Sequence, residues 1–592
     1  MTNVSGAANR RWPPFAALAV SALMVFLVLP NPLRVPQNNP TASAEYAPVP
    51  GRQQAAQAAN FGETNAATSA GIGAGGQGEG AMPGQALPPP QRVPRQTDCV
   101  GNPPRQTEDP LSPPCVPFWD GDNGGKTFPG VTKDEIKVVF YNDLDVSGDM
   151  NTPWQPSDEH TCGTGPYECQ YLVRTIKAQL RYFQSRYQTY GRRVRLVAQK
   201  SGGITTPCGG RQGDAAVSKM DHEPFASVHL GDGASCYFEA MARDYKIPVF
   251  GLNSDVPRSI YENNRPYVWG FFPDQEAESA WSGSFICRVL RGHKAQFAGD
   301  ANLKTSKRKF GLIYPVNAER GPEMTRLAHL LQDDVKKECG MTFDDTRPFE
   351  AGGTAGAGGK EAPTFMAAFK QEGITTVVCY CVPVQTELTV STMQNAANSV
   401  DYHPEWYWDH ASRMYRAIWN QTYGDPKQPS FGVNHHWRNP GFHSQFWYQS
   451  YRSQEPQTEP NVRFNFDIYH LFLNLFQAIQ AAGPRLTPET VEQGMFTFQY
   501  QDRDNPYEPM GGYGPYGPKA VSSYNFVDSA MGWWWDPTGT PPEGRAGEGC
   551  VRVMNQGRRY YAGEWPIGDK DLFTADAPCS QDDTKLADTA GF

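Results

Sequence analysis

Twelve cysteines stand in the 592-residue sequence: Cys99, Cys115, Cys162, Cys169, Cys208, Cys236, Cys287, Cys339, Cys379, Cys381, Cys550 and Cys579. The number is even, and in an oxidising compartment such thiols pair as disulfides. The local pairs Cys99–Cys115, Cys162–Cys169, Cys208–Cys236 and Cys550–Cys579 are the expected bridges, although spacing does not fix connectivity. A zinc site wants CxxC pairs. The sequence offers only Cys379-Tyr380-Cys381, whose thiols share one face of a strand. Residues 402–451 concentrate Trp406, Trp408, Trp419, Trp437 and Trp447 with His403, His410, His435, His436 and His443. Such rings could stack on a sugar and such imidazoles could bind a metal, but no HExxH-like spacing is present. Aromatic packing of a capping insertion with surface histidines is the better reading. No GxSxG elbow supports a serine nucleophile. The glycine tract 352–359 is followed by Lys360 and then Glu361, where a phosphate loop needs Ser or Thr after the lysine. Neither catalysis nor a cofactor is expected.

These groups sit on alternating elements. Short β-rich runs at 136–141, 194–197, 226–230 and 247–250 are separated by helical periodicity at 169–190, 211–220 and 234–245, and a long helix is predicted over 274–290. The alternation restarts with strands at 309–314, 342–349, 374–381 and 405–408 and helices at 323–338, 362–372 and 385–399. A strongly apolar helix follows at 464–482. Strand–helix alternation with short connections implies parallel sheets covered on both faces. Two runs imply two lobes. The fold class expected is therefore α/β, two doubly wound parallel-sheet lobes joined by a hinge.

The N-terminus carries Arg10 and Arg11 and then an apolar run from Phe15 to Leu29, broken by Ser21 alone. This is an export signal, whether cleaved or kept as a signal-anchor helix across residues 1–33. No cysteine follows closely enough to take a lipid. Residues 34–127 are rich in Ala, Gly, Gln and Pro and read as a disordered linker. The formal net charge of −9 and the lack of a basic stripe argue against nucleic acid. The expected location is outside the cytoplasm, at the cell surface or extracellular, with membrane contact through the N-terminal segment.

Five stretches together resemble the type I periplasmic solute-binding proteins, best known as branched-chain amino acid receptors of ABC transporters. They are Gly130-Val131-Thr132-Lys133-Asp134-Glu135-Ile136, Tyr190-Gly191-Arg192-Arg193-Val194, residues 240–250, Tyr267-Val268-Trp269-Gly270-Phe271-Phe272-Pro273-Asp274, and the helix from Asp467-Ile468-Tyr469-His470 to Ala482-Gly483. Their order and spacing carry the resemblance, which covers about 128–500. It implies lobe 1 over about 128–292 and lobe 2 over about 305–410, with 410–500 shared between them. Residues 501–592 are left as a return segment and a bridged tail.

The resemblance also implies a cleft lined by loops after the strand C-termini, where open α/β sheets bind ligands. Here those loops hold Asp145, Ser147, Ser235, Asn253, Ser254, Tyr314, Tyr380 and Asp409. Ser235 opens a helix, so its hydroxyl and nearby amides suit a carboxylate. Asp409 or Asp145 could hold an amine. The implied function is binding of an amino acid or related polar solute by hinge closure, for an ABC permease or a sensor. The alternative is a cell-envelope interaction protein whose cleft has no small-molecule ligand. Cys236 beside Ser235, and extra residues between 148 and 168, depart from the family pattern and put amino-acid specificity in doubt.

Overall fold

Strand β1 (Glu135–Asn142) shows why the chain forms a doubly covered sheet. Its Phe140 ring lies 6.4 Å from Phe472 on one face, while Tyr141 stacks at 3.8 Å on Tyr237 on the other. A strand apolar on both faces must be covered on both. The first sheet runs β2-β3-β1-β4-β5-β6, with β2 (Gly148–Asp149), β3 (Arg193–Lys200), β4 (Ala226–Leu230), β5 (Val249–Gly251) and β6 (Val268–Gly270). All pairs are parallel except β2 with β3. Its helices are α1 (Glu168–Arg186), α2 (Cys208–Val217), α3 (Ser235–Glu239) and α4 (Arg258–Asn263).

The second sheet runs β13-β12-β11-β10-β9-β7-β8. It contains β7 (Phe310–Val316), β8 (Asp345–Glu350), β9 (Thr376–Cys379), β10 (Glu405–Trp408), β11 (Ser430–Asn434), β12 (Met531–Asp536) and β13 (Cys550–Val553). Strands β7 to β11 are parallel, and β12 and β13 add on antiparallel. Around it lie α5 (Gln275–Phe285), α6 (Ala301–Thr305), α7 (Gly321–Cys339), α8 (Ala362–Glu372), α9 (Thr386–Ser399) and α10 (Ala417–Tyr423). The chain then returns to the first sheet with α11 (Phe446–Gln454), α12 (Asn465–Ala482) and α13 (Pro488–Met495). Alternate strand residues divide between two apolar cores: Leu312, Val378 and Tyr407 face one, and Ile313, Cys379, Trp406 and Trp408 the other. The architecture is α/β, two doubly wound, mostly parallel sheets joined by a hinge.

This computed structural model describes residues 99–580 apart from 145, 156–167, 204–205, 232–234, 253–255, 317–320, 351–358, 381–385, 410–413, 439–440, 462–463, 516–521, 541–547, 569–571 and 575. The N-terminal apolar segment proposed as signal or anchor lies outside the described residues. Among the described residues no helix is long and apolar enough to cross a membrane.

Three segments cross between the sheets. The first leaves β6 through 271–274 to α5. The second leaves β11 at 435–438 and leads on to α11. The third, 525–530, leads into β12. The first and third pair along their length: Gly270 N donates to Tyr524 O at 2.8 Å, and Val527 N to Phe271 O at 3.1 Å. Arg559 clamps the second to the third. Its Nη1 donates to His436 O at 2.5 Å, Nη2 to His435 O at 2.7 Å and Nε to Ser529 Oγ at 2.9 Å. Burial lowers this guanidinium's pKa to about 9, and the Glu278 charge works against that shift.

Three expectations change. Residues 99–127 do not belong to a structureless linker. Cys99–Cys115 closes a loop whose Leu111 and Asp109 are buried, and its ordering entropy is offset by that burial and by Tyr469 Oη donating to Asp109 Oδ2 at 2.8 Å. The strand-like pieces expected at 533–535 and 551–554, placed in a return segment and tail, are β12 and β13, and they complete the second sheet. The 402–451 region is not a capping insertion with surface histidines. It supplies β10 and β11, and His435 is buried.

Disulfides join Cys99–Cys115, Cys208–Cys236, Cys287–Cys339 and Cys550–Cys579. Cys379 is also bridged. Sequence reasoning gave no partner to Cys287 or Cys339. The pair expected at Cys162 and Cys169 involves positions outside those whose side chains are described.

Asp109 yields a pH test. Burial pushes its carboxyl up to about 6, against hydrogen bonds from Leu111 N and Tyr469 Oη that pull it down. The folded state thus holds the proton where the unfolded chain has released it. Stability should fall as pH rises from about 4 to about 6, by roughly 3 kcal/mol in all. His470, lowered to about 3 by burial, works in the opposite sense between about 3 and 6.5, so a single pH profile mixes the two. Comparing urea midpoints of wild type and Asp109→Asn at pH 4.5 and 7.5 isolates Asp109. The variant should gain relative stability at the higher pH, and an unchanged difference would refute the assignment.

Candidate functional site

Both sheets turn the C-terminal ends of their strands toward the hinge, since the first two crossing segments leave directly from β6 and β11. The region outside those ends is the natural place for a ligand.

On the first sheet, Asn142 ends β1 and shapes the loop after it. Its Oδ1 accepts from Leu144 N and Val146 N, both at 3.1 Å, and its Nδ2 donates to Val146 O at 2.9 Å. Asp143 receives a bidentate pair from Arg211 of α2, at 2.9 and 3.1 Å, with both side chains 1% exposed. Ser201 Oγ also donates to Asp143. Gly231 follows β4 beside this carboxylate, and a Cβ there would lie 2.2 Å from Asp143 Oδ2. Cys208–Cys236 ties the start of α2 to α3, fixing the Arg211 and Ser235 segments to each other. The Ser235 Oγ is buried and has no hydrogen-bond partner among the described residues. A buried hydroxyl left unbonded costs free energy.

On the second sheet the structure brings three predicted residues side by side. Tyr380 N donates to Ile313 O at 2.9 Å, setting Tyr380 next to Tyr314, and Asp409 N donates to Cys379 O at 3.4 Å. All three side chains are buried. Tyr314 and Tyr380 join the core that holds Tyr407, against which Phe285 of α5 packs at 6.0 Å. Burial, and then the Asp409 charge, raise the Tyr380 hydroxyl well above its ordinary pKa, so it stays a neutral donor. Ser147 is half-buried in the loop after β1. Asp145, Asn253 and Ser254 lie outside the described residues. No described hydrogen bond or ion pair joins Ser147 or Ser235 to the Tyr314–Tyr380–Asp409 group.

Sequence reasoning missed the polar node at the hinge. His435 Nδ1 lies 2.5 Å from Glu278 Oε1, with side chains 4% and 2% exposed. Glu278 also lies close enough to act on Tyr380 and Arg559. Arg211 was missed too: a lone arginine in a predicted helix gives no sign of the acid it meets.

No protein-family model matches the chain, and no curated protein matches it. Solved structures do. A solute binding protein of an ABC transporter from Rhodopseudomonas palustris BisB5, in complex with 3,4-dihydroxybenzoic acid, aligns with a TM-score of 0.46 and 9% identity, covering 74% of this chain and 99% of that one. A fatty acid ABC transporter substrate-binding protein from Thermomonospora curvata aligns with 0.48 and 13%, covering 76% and 99%. The branched-chain amino acid transporter substrate binding protein of Streptococcus pneumoniae, in complex with isoleucine, aligns with 0.43 and 9%, covering 67% and 95%.

Proposed function

We propose that this chain is an exported binding protein that takes up a small polar solute between two hinged lobes and delivers it to an ABC-type importer or a sensor, without chemistry. The observation that carries this reading is the hinge: three crossing segments join two sheets whose strand ends point to them, the layout of a closing cleft. The Ser235 hydroxyl, which has no hydrogen-bond partner among the described residues, supports a ligand that offers it one. A carboxylate does so, and amino acids and aromatic acids both carry one.

Thermal-shift screening of the purified protein against amino acids, amides, sugars and aromatic acids tests the proposal. A ligand present at about one hundred times Kd should add about 2.7 kcal/mol of stability. Ser235→Ala should weaken binding about tenfold while leaving the unliganded melting temperature within a degree or two. An Ala variant that binds like wild type would remove Ser235 from the site.

A second reading has an observation of its own. Tyr314, Tyr380 and Asp409 are buried, and Arg211 and Asp143 pair with each other at the opposite strand ends. A cleft whose described polar side chains are largely buried or, like Arg211 and Asp143, paired fits a cell-envelope interaction protein. No shift with any compound class would favour it.

A further inference from the structure

A cavity of about 220 Å³ lies where the loop closed by Cys99–Cys115 meets α11, α12 and the second crossing segment, behind Phe271, whose ring stands 5.0 Å from His470 and 6.3 Å from Trp437. Its walls are largely apolar and include Leu111, Phe446, Trp437 and Trp447. The two indoles flank His470, with ring centres 5.3 and 5.6 Å from the imidazole. Among the described residues, three ionisable side chains other than tyrosine line it: Asp109, Glu508 and His470. His470 adds no positive charge, because burial lowers its pKa to about 3. Asp109 Oδ1 and Oδ2 already accept from Leu111 N and Tyr469 Oη. Glu508 differs. Its Oε1 accepts from Asn505 Nδ2 at 2.6 Å, but its Oε2 is buried and accepts no hydrogen bond among the described residues. Two arginines act on this carboxylate from a distance without donating to that oxygen: Arg503, whose Nη1 is 3.8 Å away on a half-exposed side chain, and Arg105. Arg503 is not part of the cavity wall.

We propose that this cavity is a second binding site, separate from the cleft, for a small organic ammonium ion carrying one aromatic ring or a short alkyl chain. An apolar chamber with indole faces and a buried carboxylate oxygen lacking a donor is complementary to such a cation. The ring is held by burial and the ammonium by Glu508 and by attraction to the indoles. The cavity is smaller than the roughly 300–1,000 Å³ of sites for drug-sized ligands, so it takes a single ring. Ser444, exposed on the rim, and Tyr507, half-exposed beside it, form the mouth. The indole N–H of Trp447 is buried and has no partner among the described residues, so a ligand with an acceptor on its ring would gain a further bond.

The test uses the full chain at pH 7.5, with benzylammonium as probe and benzyl alcohol and benzoate as neutral and anionic counterparts. Tryptophan fluorescence and thermal shift report binding. Benzylammonium should bind saturably and about tenfold or more tighter than benzyl alcohol, with benzoate weakest. Glu508→Gln, which keeps the size and removes the charge, should abolish the preference for the ammonium. Ser444→Trp, at an exposed rim position, should block all three without lowering the melting temperature. Ser235→Ala should leave benzylammonium binding unchanged. Equal binding of the three probes, no saturable signal at millimolar concentration, or wild-type behaviour of both Glu508→Gln and Ser444→Trp would each overturn the proposal. Loss of benzylammonium binding in Ser235→Ala would assign the probe to the cleft and overturn it as well.

Discussion

Glu405→Ala should destabilise the protein by about 3–5 kcal/mol, the range for breaking a fully buried ion pair. Glu405 and Arg308 have fully buried side chains and face each other through two bonds, Nε to Oε2 at 2.7 Å and Nη2 to Oε1 at 2.8 Å. Thr376 Oγ1 donates to Oε2 at 2.8 Å and Phe297 N to Oε1 at 3.1 Å. The carboxylate is therefore saturated with donors, and the guanidinium also reaches Leu290 O at 3.3 Å. Removing the acid strands a cation in the core, and the loss comes from that stranding more than from the lost attraction. The double variant Arg308→Met/Glu405→Leu should accordingly cost much less than either single change. Urea unfolding of the three variants decides it. A single-variant loss under about 1 kcal/mol, or a double variant as unstable as the sum of the singles, would refute this account.

Removing the Cys287–Cys339 bridge should produce a loss of similar size. The two cysteines are 52 positions apart, and in the chain-entropy picture a closed loop of that length restricts the unfolded chain by about 4 kcal/mol. The bond joins the helical turn that continues α5 to the last turn of α7. Those helices already pack together: Ser279 Oγ donates to Asp334 Oδ2 at 2.6 Å and Ser284 Oγ to Glu338 Oε1 at 2.9 Å. Cys287→Ser/Cys339→Ser should therefore keep the native fold while losing about 2–5 kcal/mol. Circular dichroism and urea titration with the other bridges intact measure this. A loss under about 1 kcal/mol would mean that the helix contacts alone set the geometry.

Sequence patterning showed the parallel part of the fold well. The strand expected at 405–408 is β10, and the helix expected at 362–372 is α8. Both have short, bounded patterns that depend on nothing distant. Strand β11 escaped because Ser430–Asn434 holds only two large apolar residues, and surrounding tryptophans and histidines drew attention to metal and sugar chemistry instead. The order of residues 106–112 escaped because the linker's composition is that of disorder. What holds that stretch is one disulfide and contacts to residues distant in sequence, Arg186 and Tyr187 at the end of α1, Tyr469 of α12 and Gln501.

The candidate site was legible only in its placement. Strand-end reasoning found Tyr314, Tyr380 and Asp409, which do adjoin one another. It could not foresee their burial, which depends on α5 lying across that face of the sheet. The Glu278–His435–Arg559 node brings together three segments that meet only because the chain crosses the hinge three times. No local pattern announces such a meeting.

The triple crossing also governs how the protein is made. The second sheet cannot be finished when its first strands emerge, because β12 and β13 lie beyond the whole of α11, α12 and α13. Until residue 531 appears, β11 waits with an open edge, the kind of edge through which nascent chains stick to one another. A chain shortened before that point would be trapped in this state. A newly delivered chain needs its edge shielded during the interval, which makes the time between emergence of β11 and β12 the vulnerable period in its biogenesis.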